Sequence, residues 1–492
     1  MKLDRKECRR IAYALVLAFA VLFFCSKSSP IYPINDWADA NVYLTIGKGM
    51  TQGKIPYRDL YDHKGPLLFA LHALCAFVSF DSFAGVFLME VLQAAAFVYV
   101  AHRFFESCGL QRMSWIAVTV LAVAAYTSFS FSEGDSAEEM AFPFIMGTLY
   151  GVTVFFQSGE ARMRTRSLIT HGILAGCVFW IKFTMIGLHA GLLLALFIRA
   201  WALGGLKEAM RTLGWLIAGF VVSTLPWVLY FGLSGALGDF LKTYLYDNLF
   251  LYSAGEAAGL ADKLKAIVKA GLSWFVNNPG YSLFILIGFI SAWKMEKWMR
   301  LTVWLMTALG ALAAFIGGKE YVYYGLVLVP AAAPGIAAVC CWRAKQRSVR
   351  MTVIVCAVLI ALTPVLTQNV NPPFGAPAFE KRENTMQYRF AAIMQETPNA
   401  TLLNYGFMDA GFYTAANVVP TVKYFHQTNV PLEEMLSEQE RYIREGLCDY
   451  VVTRGKQPEC IHENYDLIAT EKSPNFWYES VHLYRLKTLG KR

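Results

Sequence analysis

The chain has 492 residues, of which 56% are hydrophobic and only 16% charged, against roughly 25% charged in an ordinary soluble domain. Its mean hydropathy is +0.40, and 35 Phe, 25 Tyr and 12 Trp suit a chain whose main solvent is lipid. This balance excludes a nucleic-acid binder driven by charge, a disordered scaffold and a disulfide-stapled secreted module. The net charge of +8 is spread over connecting segments instead of gathered on one tract.

A bilayer crossing needs roughly 20 mostly apolar residues. The first candidate runs from Ile11 to Cys25, behind Lys2, Arg5, Lys6, Arg9 and Arg10. No small-x-small cleavage site follows it, so an uncleaved span is expected in place of a signal peptide. Further spans are expected at about 83–103, 114–130, 139–157, 168–183, 184–202, 212–233, 280–294, 301–317, 324–342 and 351–367. Eleven crossings put every basic connection on one side: Arg103 and Arg112; Arg162, Arg164 and Arg166; Arg199, Lys207 and Arg211; Lys294, Lys297 and Arg300; Arg343, Lys345, Arg347 and Arg350. The positive-inside rule then places the N-terminus in the cytoplasm and the C-terminus outside. Gly65 to Phe80 is apolar but short and ends at Asp81. Counting it as a crossing would invert every later loop, so a helix dipping into or lying along the outer leaflet is expected, buried by protein.

After Gln368 the composition changes, beginning with the turn-rich Asn369-Val370-Asn371-Pro372-Pro373. Residues 401–407, 450–453 and 481–486 read as strands, and Pro431 to Gly446 as a Glu-rich helix. The expected organisation is a transmembrane domain over 1–368, with an external loop at about 27–65, followed by an extracytoplasmic α/β domain over 369–492. The whole is a mainly α, polytopic helical bundle. The ten cysteines are scattered, with no zinc-ligand spacing. Cys448 and Cys460 share the external domain and could form a disulfide.

Ionisable groups at membrane depth cost at least ~2.5–3.5 kcal/mol each near the bilayer centre, so their gathering points carry the functional signal. In this topology they collect at the outer surface. The first external loop holds Asp36, Asp39, Asp59, Asp62, His63 and Lys64 among Trp37, Tyr43, Tyr57 and Tyr61. Asp39 could equally cap a helix running to about Gln52. Glu133, Asp135, Glu138 and Glu139 follow in the second loop, where a solvated acidic turn is the plain alternative. Lys182 closes a span, where snorkelling is the ordinary explanation, and Lys319, Glu320, Tyr323 and Tyr324 form a third mouth, although aromatic belts also put Tyr there. Together these residues suit a reaction between an anionic lipid headgroup and a hydroxyl acceptor, with lysines on the phosphate and a carboxylate on the acceptor proton. The sequence shows no Gly-rich phosphate loop that would point to a soluble nucleotide donor.

Around Asp39-Ala40-Asn41-Val42-Tyr43 and Tyr57-Arg58-Asp59-Leu60-Tyr61-Asp62-His63-Lys64-Gly65-Pro66 the chain resembles the polyprenyl-phosphate-sugar glycosyltransferases of the GT-C fold. That group includes the dolichyl-phosphate-mannose protein mannosyltransferases and the bacterial lipid A aminoarabinose transferases. The likeness lies in an Asp followed four residues later by an aromatic, then a Lys before a Pro turn that opens a juxtamembrane helix; Gly65 stands where the group has a first Pro. Ala137-Glu138-Glu139-Met140, Lys182 and Tyr323-Tyr324 extend it, with Tyr323 in place of a usual His.

The resemblance implies a sugar carried on polyprenyl phosphate and attacked at C1 by a hydroxyl of a cell-envelope glycan, lipid or protein. It implies Asp39 as general base, with Asp36 as its rival. Lys64, Lys182 and Arg58 would hold the lipid phosphate, and Glu138 or Glu139 would orient the acceptor or help bind a metal. Tyr43, His63, Tyr323 and Tyr324 are further substrate-binding candidates. Asp62 and His63 are candidate ligands for a divalent metal, although a hard-metal site needs more oxygens than these. Two other readings compete: a transporter or flippase subunit for lipid-linked saccharides, and a sensor whose external domain binds a saccharide. A carrier should place polar groups near the midplane and often has an inverted repeat, and the sequence has neither.

Overall fold

The computed structural model describes residues 4–252, 259–342, 348–455, 457–472 and 479–489; Lys2, Arg343, Lys345 and Arg347 of the expected basic segments lie outside them. Seven helical runs among the described residues are long and apolar enough to cross a membrane. The count rises to eight when the bent pair Leu260–Asn277 and Pro279–Lys294 is taken as one span. The protein is a multi-pass membrane protein, a mainly helical bundle with a small mixed sheet near its C-terminus.

Each of the eleven expected stretches falls on a helix, but the lengths are uneven. α1 (Arg5–Cys25) and α4 (Ala84–Ser107) are full-length, whereas α5 (Met113–Tyr126) and α8 (Thr165–Ile181) have 14 and 17 residues. The two stretches expected at 184–202 and 212–233 lie in one run, Phe183–Leu233, of 51 residues. At 1.5 Å per residue that run measures about 76 Å, more than twice a ~30 Å hydrocarbon core. Within it, α9 (Gly187–Leu233) is broken at Gly205, whose φ of 70° a side chain would rarely adopt. Leu260–Asn277 is a helix with no counterpart among the expected spans; Asp262, Lys263, Lys265 and Lys269 interrupt its apolar residues.

The described residues form two compact units. The first comprises 1–26, 90–227 and 257–368, and the second 27–89, 228–256 and 369–492. In the first, Val152, Phe156, Met163, Leu168, Leu196 and Leu216 make a buried apolar cluster between α7 (Phe142–Gln157), α8 and α9. In the second, Ile34, Ala40, Leu44, Cys75, Phe83 and Val86 pack α2 (Ala38–Thr51) against α3 (Pro66–Val78). Burying such a side chain fully contributes about 1.5–3 kcal/mol. The two helices approach closely at Gly47, where a Cβ would come within 2.5 Å of the His72 backbone.

α3 is the short helix expected after Lys64, opened by Pro66 at its first position. α2 begins one residue before Asp39, with Trp37 as N-cap, so Asp39 lies inside the first turn and is not the cap. Asn35 sets this start: its Oδ1 accepts from Trp37 N at 3.1 Å, and Asn41 Nδ2 donates to the Asn35 and Trp37 carbonyls at 2.7 and 2.8 Å.

The C-terminal sheet has the order β1-β2-β4-β3. β1 (Leu402–Tyr405) pairs parallel to β2 (Tyr450–Arg454), with the amphipathic helix Glu433–Arg444 in the crossover. β4 (Ser480–Leu486) is antiparallel to β2 and to β3 (Tyr465–Lys472). β3 was not expected, because Asp466, Glu471 and Lys472 make it polar for a strand. Cys448 and Cys460 are both buried and both free thiols.

Candidate functional site

The second unit draws Asp39, Tyr43 and Lys64 together. Asp39 stands in the first turn of α2, where the helix dipole favours a carboxylate. Tyr43, one turn on, donates its hydroxyl to Asp39 Oδ2 at 3.0 Å. Lys64 Nζ lies 3.4 Å from Asp39 Oδ2 and 5.5 Å from the Tyr43 ring centre. All three side chains are buried, so the pair acts in a medium where charge–charge energies far exceed those in water.

Lys64 is positioned through its backbone. Its N–H donates to Asp62 Oδ1 at 2.9 Å, and its carbonyl accepts from Tyr57 Oη at 2.8 Å. Tyr57 holds a left-handed φ of 71°, costly for a bulky residue, and is gripped by the rings of Phe69, Phe231 and Phe240. Burial raises the Asp62 carboxyl above its ordinary range, and the ammonium of Lys64 opposes that rise. The His63 carbonyl accepts from Asn248 Nδ2 at 2.7 Å while its ring stacks on Tyr252.

His63 Nδ1 and Asp62 Oδ2 are 3.8 Å apart. Among the described residues no group of three or more His, Cys, Asp or Glu side chains is arranged to hold a metal ion. Asp36 is engaged elsewhere: its two oxygens accept from Lys27 Nζ at 2.7 and 2.9 Å, and Oδ2 also accepts from Ala376 N. Arg58 is exposed; it pairs with both oxygens of Asp59 at 2.8 and 2.9 Å and donates to the Ser234 carbonyl.

The first unit gathers Glu138, Lys182, Tyr323 and Tyr324. Lys182 follows the last turn of α8 in extended conformation, where the helix dipole favours a cation. Its Nζ meets Glu138 Oε1 at 2.5 Å and lies 4.1 and 5.3 Å from the Tyr324 and Tyr323 ring centres. Ser136 caps α6 (Ala137–Met140) by accepting from Glu139 N at 3.0 Å. Glu139 faces the Asp135 backbone, whose N–H donates to Glu139 Oε2 at 3.1 Å and to Glu90 Oε1 at 2.9 Å. Glu320 pairs with Lys269 at 2.6 Å on a more exposed patch.

Glu90 escaped sequence reasoning, although a lone carboxylate inside an apolar run was a readable sign. The same holds for buried Lys48 in α2, which lies over the Phe80 ring and reaches the Tyr413 carbonyl at 3.4 Å. Beside it, Asp409 accepts from Thr45 Oγ1 at 2.8 Å and from Gly411 N at 3.0 Å. Burial pushes Asp409 up to about 6 and Lys48 down to about 8.

No protein-family model matches the sequence, and no curated protein is similar to it at a significant level. The fold is of the GT-C type. It is similar to ArnT from Cupriavidus metallidurans in its crystal structure bound to undecaprenyl phosphate. That similarity has a TM-score of 0.57 and 11% identity over 98% of each chain. The crystal structure of the same protein in the apo state gives 0.55 and 12%, over 97% of each chain.

Proposed function

We propose that this protein is an integral-membrane glycosyltransferase that moves a sugar from a polyprenyl-phosphate donor to a hydroxyl acceptor at the outer face of the cytoplasmic membrane. The observation that carries the reading is the buried Asp39–Lys64 pair, at 3.4 Å, with Asp39 on the first turn of a helix, in an ArnT-like fold. ArnT is bound to undecaprenyl phosphate, and a polyprenyl phosphate is the donor lipid proposed for this chain.

In this reading Asp39 takes the proton of the acceptor hydroxyl as its oxygen bonds to C1 of the sugar. The C1–O bond to phosphate breaks, the electron pair leaves with the lipid phosphate, and Lys64 balances the charge that builds there. Attack opposite the leaving group inverts C1. Tyr43 orients the Asp39 carboxylate through its hydroxyl. The N-terminus is proposed to face the cytoplasm and the C-terminal α/β segment the exterior, following the basic connections.

The test is transfer of a labelled sugar from a polyprenyl-phosphate carrier by purified protein in detergent or vesicles. Transfer by the native chain and none by a folded, inserted Asp39→Asn variant supports the reading. Full activity in that variant removes Asp39 as base.

A further inference from the structure

The helix Leu260–Asn277 meets the span Pro279–Lys294 at a bend of 112°, so it runs nearer perpendicular than collinear to that span. Asp262, Lys263, Lys265 and Lys269 also count against its crossing a bilayer. Its C-terminal half is anchored by Trp274, whose ring centre lies 5.4 Å from that of Phe315 and 5.8 Å from that of Tyr281. Trp274 Nε1 donates to Tyr281 Oη at 2.7 Å. Phe315 ends the helix Lys297–Phe315, whose first residue belongs with Lys294 and Arg300 to a basic connection proposed to face the cytoplasm. The anchored helix therefore belongs to the opposite, outer end of that span.

The face it turns outward is apolar. Leu260, Leu264, Val268, Leu272 and Val276 recur at every fourth position and are 54–76% exposed. Three of them, Leu264, Val268 and Leu272, line an open groove of about 810 Å³ bordered by Lys265, Lys269 and Glu320. The two lysine side chains are 79% and 73% exposed. Lys265 Nζ lies 3.6 Å from Asp262 and Lys269 Nζ 2.6 Å from Glu320. Ion pairs this exposed contribute little, and an ammonium has three donors, so each lysine can serve a further anion. An apolar stripe edged with lysines, on a helix set across its neighbouring span, is the pattern of a helix lying in the membrane interface.

We propose that this face docks anionic phospholipid of the outer leaflet, with acyl chains along Leu264, Val268 and Leu272 and the headgroup phosphate on Lys265 and Lys269. The two lysines are one turn apart and so share a helix face, and their stems can follow the apolar surface while the ammoniums stay at headgroup level. Charge favours this occupant, because Lys263, Lys265 and Lys269 outnumber Asp262 and Glu320 there. Packing the face against a second copy would instead bury both ammoniums with their carboxylates, which costs desolvation. The inference does not use the glycosyltransferase reading.

The test is photolabelling of the full-length protein in phosphatidylcholine vesicles that carry a trace of diazirine-tagged phosphatidylglycerol or diazirine-tagged phosphatidylcholine. Adducts are mapped by peptide mass spectrometry, with Val222 and Leu225, exposed on α9, as the reference for ordinary lipid contact. The expected result is labelling of residues 264–276 that is about fivefold stronger with phosphatidylglycerol, once normalised to that reference. In Lys265→Gln/Lys269→Gln the preference is expected to fall below about twofold, with the reference labelling unchanged. High salt, which screens exposed charges, should lower the native preference in the same way. Equal labelling by the two probes in the native chain, or a preference that neither the double substitution nor salt reduces, would overturn the proposal. A helix left unlabelled while Val222 and Leu225 are labelled would overturn it too, because protein, such as a second copy, would then cover the face.

Discussion

The first compact unit buries the Lys182–Glu138 pair and the second the Lys64–Asp39 pair, and these two are built differently. Lys182 and Glu138 meet at 2.5 Å with aromatic rings against the ammonium, a tight arrangement that neutralises both charges. Lys64 stands 3.4 Å from Asp39 with Asp62 acting on it as well, and both its peptide groups are fixed by side chains of its own loop. The first geometry holds elements together; the second holds reactive groups apart from full neutralisation. Backbone strain at Tyr57 falls beside the second pair, where preorganisation for chemistry would place it.

The sharpest way to break this contrast is to neutralise each carboxylate. Asp39→Asn is expected to lower kcat by about 10²–10⁴ with Tm little changed, since Asp62 still faces Lys64. Glu138→Gln is expected to reduce Tm more than kcat. Transfer assays beside thermal unfolding in detergent decide it, and equal losses in the two variants would erase the distinction.

Lys182→Met strands the Glu138 charge, at an expected cost of about 3–5 kcal/mol. Adding Glu138→Gln to that variant should recover most of the loss, as read from Tm. A double variant no more stable than Lys182→Met would mean that the pair is not the source.

A smaller effect comes from Asp409. Burial raises its carboxyl to about 6, so between about pH 4 and 6 the folded chain keeps a proton that the unfolded chain releases. Stability therefore falls as pH rises through that window, by roughly 2–3 kcal/mol. Asp409→Asn should flatten the dependence of Tm on pH there; an unchanged slope would contradict the assignment.

The smallest effect is expected at Arg58, exposed and paired with its neighbour Asp59. Arg58→Ala should change donor affinity by less than about twofold, and a large loss would return it to the phosphate site.

What the sequence disclosed follows from how local each feature is. Asp39 and Tyr43 share a helix face at a spacing of four, and Lys64 ends the same loop before a Pro-opened helix, so that pair was legible. Lys182 and Glu138 are individually noticeable, but only the fold shows them bonded. Asp409 and His426 meet the first loop across more than 360 residues, and nothing in their own surroundings distinguishes them from ordinary domain polar groups. Arg58 sits in the family-like stretch yet turns to Asp59, because adjacent opposite charges on an exposed turn pair without any tertiary help. Alternating hydrophobicity exposed β1, β2 and β4, while the polar face of β3 hid it.

The most direct test of the central claim is to purify the native chain and Lys64→Met in parallel, extract the bound lipid and identify its headgroup by mass spectrometry. A polyprenyl phosphate or its glycosylated form with the native chain, strongly depleted in Lys64→Met, is the result this account predicts. Only bulk phospholipid in both preparations, or equal polyprenyl phosphate in both, would contradict it.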